Sequence, residues 1–146
     1  MTPIENITTL RVRYSETDQM GGFYNSRVLE WFECARTEMT RKVGLPYSEM
    51  EKRGLFLPLV ETHIEFVGRA RYDDELRITC RLAMFGRARV RFDYEIAHAK
   101  NGAAVARGYT IHAFLDTSGK PTRPPAWFME FMGQGAPQQQ APSSSA

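Results

Sequence analysis

Residues 14–36, YSETDQMGGFYNSRVLEWFECAR, open like a half-buried strand, break into acids and a glycine pair, and run directly into an amphipathic helix. The junction holds Glu16, Asp18, Gly21 and Gly22. Two adjacent glycines let the backbone turn sharply, and a helix that starts just after them leaves main-chain N–H groups without partners. Such a corner binds developing negative charge. A carboxylate beside it is also what a helix cap looks like, and spacing alone favours the cap.

Upstream, Thr8, Leu10, Val12 and Tyr14 alternate against Thr9, Arg11 and Arg13, which predicts a first strand. Downstream, from Asn25 to Val43, the apolar positions Val28, Phe32, Ala35, Met39 and Val43 step by three or four. Leu29 and Trp31 widen that stripe, and Gly44 and Pro46 stop it, giving roughly 28 Å of helix at 1.5 Å per residue. A shorter helical piece over 47–53 is closed by Gly54. Alternation then returns in LPLVETHIEFV (57–67), ELRITCRLAMF (75–85), ARVRFDYEIAH (88–98) and AVARGYTIHAFL (104–115), four strand candidates. KNG at 100–102 is an Asn-Gly hairpin signal, and Gly86 marks another tight turn. Leu76, Ile78, Cys80, Leu82 and Met84 should share an inner face with Ala88, Val90, Phe92, Tyr94 and Ile96. One strand, a long helix and an antiparallel meander make an α+β domain whose curved sheet of about five strands wraps the helix.

At 146 residues the chain suits one domain, expected over 1–132, burying roughly 68–70% of its unfolded surface. No apolar run approaches the ~20 residues needed to cross a bilayer, so no membrane span is expected. MTPIENITTL lacks a basic cluster followed by an apolar core, which predicts no secretory signal and a cytoplasmic location. The segment GQGAPQQQAPSSSA (133–146) has no charge, aromatic residue or periodicity, and is expected to be a disordered, dispensable tail. AWFMEFM (126–132) before it suggests a short amphipathic end helix.

The net charge of +2 hides a bias, since 15 of the 19 basic residues are arginine. Arg87, Arg89 and Arg91 share a strand face, but Asp93 and Glu95 continue it, so a solvated or subunit-contacting face is expected rather than a nucleic-acid stripe. Cys34 and Cys80 have no metal-ligand spacing and are expected to pack as small hydrophobes in a reducing compartment, with no metal centre. His63, His98 and His112 sit in strand patterns without a partnered carboxylate at a recognisable spacing, and are assigned structural or surface roles. His63 is nearest to an exception, because Glu61 and Glu65 share its face. Glu16 is expected to be an exposed acid at a strand end.

Tyr14, Thr17, Asp18, Gly21, Leu29, Phe32, Glu33, Ala35 and Arg36, followed by this strand order, resemble the hotdog-fold acyl-CoA thioesterases of the 4-hydroxybenzoyl-CoA thioesterase type. The similarity runs from Ile7 to Pro125 and is most specific in the Thr-Asp pair, the glycine three residues after the aspartate, and the Phe-Glu-x-Ala-Arg block. LPLVETHIEFVGRARYDDELRI (57–78) also resembles the family's second and third strands with their turn.

The resemblance implies a long central helix wrapped by the sheet, a homodimer or homotetramer with a continuous sheet, and an active site between subunits. It implies an acyl-CoA or acyl-carrier-protein thioester as substrate, with no cofactor and no nucleic-acid partner. Asp18 matches the family's carboxylate, as nucleophile or general base, and backbone N–H groups near Tyr24 and Asn25 would hold the oxyanion. Gly21 and Gly22 would bring the loop close to that point, and Arg69 and Arg71 in GRARYDD are candidates for a carrier's phosphates. Asn25 replaces the histidine or tyrosine common in relatives and resembles the acyl-carrier-protein branch; it would cap the helix or orient water or the carbonyl. Phe23 stands where hotdog hydratases carry histidine, and with six residues before the first strand no sensor's DNA-binding segment is expected.

Overall fold

The computed structural model describes residues 4–84 and 86–133. Five antiparallel strands form one sheet in the order β1-β3-β4-β5-β2, where β1 is Glu5–Arg11, β2 Leu59–Phe66, β3 Glu75–Met84, β4 Arg89–His98 and β5 Ala104–Ala113. Helix α1 (Arg27–Lys42) precedes a short α2 (Tyr47–Lys52), and α3 (Ala126–Phe131) follows the last strand. The element types and order match the sequence reading. Residues 134–146 of the expected tail lie outside the described residues.

Alternation sets the sheet's inner face. Ile78 pairs with Ile96, Cys80 with Tyr94 and Leu82 with Phe92, and all six are buried. Val28, Trp31, Phe32, Ala35 and Met39 supply the buried stripe of α1. Phe32 stacks on Tyr94 with ring centroids 4.2 Å apart, a pair worth about 0.5–1.5 kcal/mol beyond its area. At the far end of the core, Phe114 and Phe128 meet edge to face and fasten α3 to the domain. The outer face carries mixed charge, as expected: Arg91 pairs with Asp93 at 2.8 Å, and Arg81 reaches Glu95 and Glu5.

Three expectations need correction. The first strand ends at Arg11 rather than Tyr14. The Val12 N–H instead donates to Asp74 O at 3.0 Å, and residues Tyr14–Glu16 wind into a 3-10 turn that leaves Tyr14 78% exposed. Glu16, expected in solvent, is only 3% exposed. Cys34 is exposed on α1 beside β1, while Cys80 is buried, and burial pushes its thiol pKa up to about 12. Among the described residues no helix is long and apolar enough to cross a membrane.

Candidate active site

Glu16 builds the corner between β1 and α1. Its carboxylate accepts the Arg13 N–H at 2.7 Å and the Trp31 indole N–H at 3.0 Å, and Arg13 Nη2 lies 3.3 Å away. Burial raises the pKa of this group, but the hydrogen bonds from Arg13 and Trp31 outweigh it and hold the carboxyl below its ordinary range. Its carbonyl accepts the Tyr24 N–H at 2.9 Å. One side chain thus ties the end of the first strand region to the second turn of α1.

Between these anchors the chain makes a tight loop. Thr17 and Phe23 pair as an isolated antiparallel bridge, the Asp18 N–H donates to Gly22 O at 2.8 Å, and the Gly21 N–H returns to Asp18 O at 3.0 Å. Gly21 has φ +85°, the left-handed region that glycine adopts without strain. The Asp18 carboxylate accepts the Met20 N–H at 2.9 Å within the loop. It does not cap α1, whose start at Ser26 has no side-chain cap hydrogen bond; Asn25 does not cap it either. The cap reading that spacing favoured is therefore replaced by a local turn that holds the carboxylate by a single oxygen.

Two hollows meet at Asp18. One, of about 490 Å³, is lined by Tyr14, Asp18, Gly21, Tyr24, Arg71 and Tyr72 among others. The other, of about 360 Å³, is lined by Asp18, Phe23, Asn25, Phe66, Val67 and Arg69 among others. Every site residue expected from the sequence is thus brought to one corner, Gly22 included through its bridge to Arg71. A Cβ on Gly21 would lie 2.7 Å from Arg71 Nη1, and one on Gly22 would lie 2.9 Å from Arg69 Nη2. Absence of side chains there is what lets two guanidiniums lie against the loop. Neither arginine forms an ion pair among the described residues.

The amides divide unexpectedly. Tyr24 N–H is taken by Glu16 O, whereas the N–H groups of Asn25 and Ser26, at the start of the helix, have no hydrogen-bond acceptor among the described residues. The open donors therefore sit one residue later than the Tyr24–Asn25 pair.

Sequence reasoning missed two contributors. His98 donates from Nε2 to Arg69 O at 2.7 Å and so fixes the turn that carries Arg69. Tyr14 and Tyr72 stand edge to face, centroids 5.8 Å apart, as one wall of the larger hollow. Neither pair has a local spacing signal, since 29 and 58 residues separate the partners. His63 bonds Glu65 at 3.2 Å and stacks on Tyr109, away from both hollows. Among the described residues no group of three or more His, Cys, Asp or Glu is placed to hold a metal ion.

A five-stranded antiparallel sheet wrapped on one long helix is the hotdog arrangement. The chain belongs to the thioesterase-like superfamily, whose family model matches residues 12–132. YneP of Bacillus subtilis (strain 168), a candidate acyl-CoA thioesterase, is 44% identical over 57 residues, which are 39% of this chain and 41% of YneP. A candidate esterase of Aquifex aeolicus (strain VF5) is 33% identical over 105 residues, 72% of this chain and 80% of that protein. The 4-hydroxybenzoyl-CoA thioesterase of Pseudomonas sp. strain CBS-3 shares the fold, with a TM-score of 0.77 at 23% identity over 87% of this chain and 98% of that one.

Proposed function

We propose that the protein hydrolyses an acyl-CoA thioester to the free carboxylic acid and CoA at the Asp18 corner. The observation that carries this reading is the meeting of three chemistries there. A carboxylate bonded through one oxygen lies where two hollows join, the unpartnered Asn25 and Ser26 amides stand at the adjoining helix start, and two unpaired guanidiniums flank both. The helix N-terminus supplies donors and a positive dipole end for an oxyanion.

Asp18 then acts in one of two balanced ways. As nucleophile, a carboxylate oxygen bonds to the thioester carbon, the C–S bond breaks, the thiolate takes a proton, and water hydrolyses the resulting anhydride. As general base, it accepts a proton from water as that water attacks the same carbon, the C–S bond then breaks, and the departing thiolate takes up a proton. Arg69 and Arg71 suit a carrier's phosphates, because a guanidinium presents a fork of donors to phosphate oxygens. Asn25, which does not cap α1, is free to orient water or the carbonyl.

The proposal includes a homodimer or homotetramer and a reducing, cytoplasmic setting, which suits two free cysteines. CoA is preferred to acyl-carrier protein as carrier, following the acyl-CoA thioesterase name of YneP. Release of free thiol over a panel of acyl-CoA and acyl-carrier-protein thioesters tests the reading. Turnover on CoA thioesters supports it, and turnover on carrier-protein thioesters alone transfers it to that carrier. Saturable ligand binding without any thiol release would make the protein a non-catalytic acyl-thioester binder and end the enzyme reading.

A further inference from the structure

Helix α1 begins without the groups that usually steady a helix start. Ser26 makes no side-chain cap hydrogen bond, and the first residue inside the helix is Arg27, a cation at the end where the backbone dipole is already positive. Acidic residues are favoured in this turn, so the choice costs the isolated helix stability. The Arg27–Glu30 ion pair, at 2.9 Å, also runs in the weaker order, with the cation on the N-terminal side. Helix stability therefore does not explain Arg27.

Its guanidinium has a second partner. Nη2 donates to Ser15 O at 3.2 Å, across twelve residues and the whole Asp18 loop, while Nη1 holds the two Glu30 oxygens at 2.9 and 3.2 Å. A planar fork of donors can serve both acceptors at once. The side chain is 29% exposed, so its stem lies along the fold rather than in solvent. The other ties across this loop, Thr17 to Phe23 and Glu16 O to the Tyr24 N–H, end before the open Asn25 and Ser26 amides. Trp31, held by Glu16, lies a turn beyond them. Arg27 is the side chain that ties the chain down immediately after those amides.

We propose that Arg27 is a positioning residue for the thioester reaction: its guanidinium fixes the first residue of α1 against Ser15 and so holds the open Asn25 and Ser26 amides in line with Asp18. This role rests on the Asp18 reading given above and adds a residue that lines neither hollow there. Oxyanion donors act only when aimed at the oxygen on which charge develops, and a misplacement on the order of 1 Å costs up to about 100-fold in rate. Helix ends fray unless something restrains them. A capping box would steady this start by occupying the Ser26 N–H. Arg27 steadies it through a carbonyl on the far side of the loop, and that donor stays open.

Steady-state thiol release and amide hydrogen exchange on the full chain, for wild type, Arg27→Met, Arg27→Lys and Glu30→Gln, test this. Arg27→Met keeps the apolar stem and removes the guanidinium. Its kcat should fall about 10-fold with KM within about twofold, short of the about 100- to 1,000-fold of a deleted oxyanion donor because the amides remain. Its unfolding midpoint should change little, since the lost ion pair and the relieved helix end oppose each other. Arg27→Lys, whose ammonium can still reach Ser15 O, should recover at least about a third of wild-type kcat. Glu30→Gln breaks the ion pair and spares the tie, so kcat should stay within about twofold of wild type. The Tyr24 and Val28 amides, bonded to Glu16 O and Asn25 O, should exchange about tenfold faster in Arg27→Met and at the wild-type rate in Glu30→Gln. Wild-type kcat in Arg27→Met, or a raised KM in place of a lowered kcat, would overturn the proposal. Glu30→Gln matching Arg27→Met in both measurements would overturn it too, by reducing Arg27 to one half of a helix ion pair. Thiol release by wild type with unchanged exchange in Arg27→Met rejects this role alone, whereas no thiol release from wild type rejects the Asp18 reaction first and the positioning role with it.

Discussion

Asp18 and Glu16 stand two residues apart and do opposite work, and their hydrogen bonds explain why. Glu16 takes donors from Arg13 and Trp31 and is committed to holding the corner, while Asp18 spends one oxygen on Met20 N–H and has no hydrogen bond to the other among the described residues. Asp18→Asn keeps shape and the turn acceptor but removes the charge. Thiol release should fall about 100- to 10,000-fold for a lost general base, and further for a lost nucleophile, with the unfolding midpoint nearly unchanged. A folded Asp18→Asn protein with wild-type turnover would remove Asp18 from the chemistry. Glu16→Ala should do the reverse at first: each donor left buried without an acceptor costs about 1–3 kcal/mol, read as a lower midpoint in urea. His112 adds a pH dependence. Its folded pKa, about 4, lies below the ordinary 6.5, so the unfolded chain binds the proton more readily in that interval. Stability from this group is complete above pH 6.5 and declines toward pH 4, by at most about 3 kcal/mol. Glu16 acts lower, because a carboxyl held below 4.5 loses its contribution only as pH falls through its folded value. Urea midpoints of wild type and His112→Gln across pH 8 to 4 check this, and parallel curves would refute the histidine assignment.

Each element that has a period was legible, and the corner between elements was legible only in part. Val28, Phe32, Ala35 and Met39 announce α1 because they bury one stripe, and the alternation of β3 and β4 announces their inner faces for the same reason. The same alternation overran at Tyr14, because a two-residue period cannot register that Glu16, fifteen residues before Trp31, will be drawn inward by an indole N–H. The glycine pair was legible as a turn. Its further role was not, since the arginines that occupy the space over Gly21 and Gly22 come from a connection some fifty residues on. That role makes a prediction at the level of the loop. Gly22→Ala puts a methyl 2.9 Å from Arg69 Nη2, so the guanidinium must swing away while the flexible side chain spares the fold. KM for the CoA thioester should rise several-fold with kcat and the unfolding midpoint little changed. An unaltered KM would mean that Arg69 does not contact the carrier.

At the scale of the molecule, the sheet is unfinished at β2. This strand is at the edge, its residues are exposed apart from Ile64, and Leu59, Val60, Phe66 and Val67 are 39, 46, 48 and 47% exposed. Glu61 and Glu65 place charge within this strand, as monomeric proteins do to blunt an edge, but the exposed apolar residues at both of its ends still offer a template for another strand. Phe66 and Val67 also line the hollow beside Asp18, so the open edge runs into the proposed site. A second copy paired through β2 would cover the edge and wall the hollow in one step, which is the arrangement the family resemblance implies. Light scattering over a dilution series should therefore give at least twice the 16.7 kDa of one chain. Val60→Lys tests the surface without touching the hollow's lining, because a lysine on the edge disfavours strand pairing while remaining solvated in the separated chain. The variant should sediment as a monomer with intact secondary structure, and its turnover should fall with dissociation and recover at high protein concentration. A wild-type chain active at 16.7 kDa, or a Val60→Lys monomer with full turnover, would show that one copy completes the site by itself.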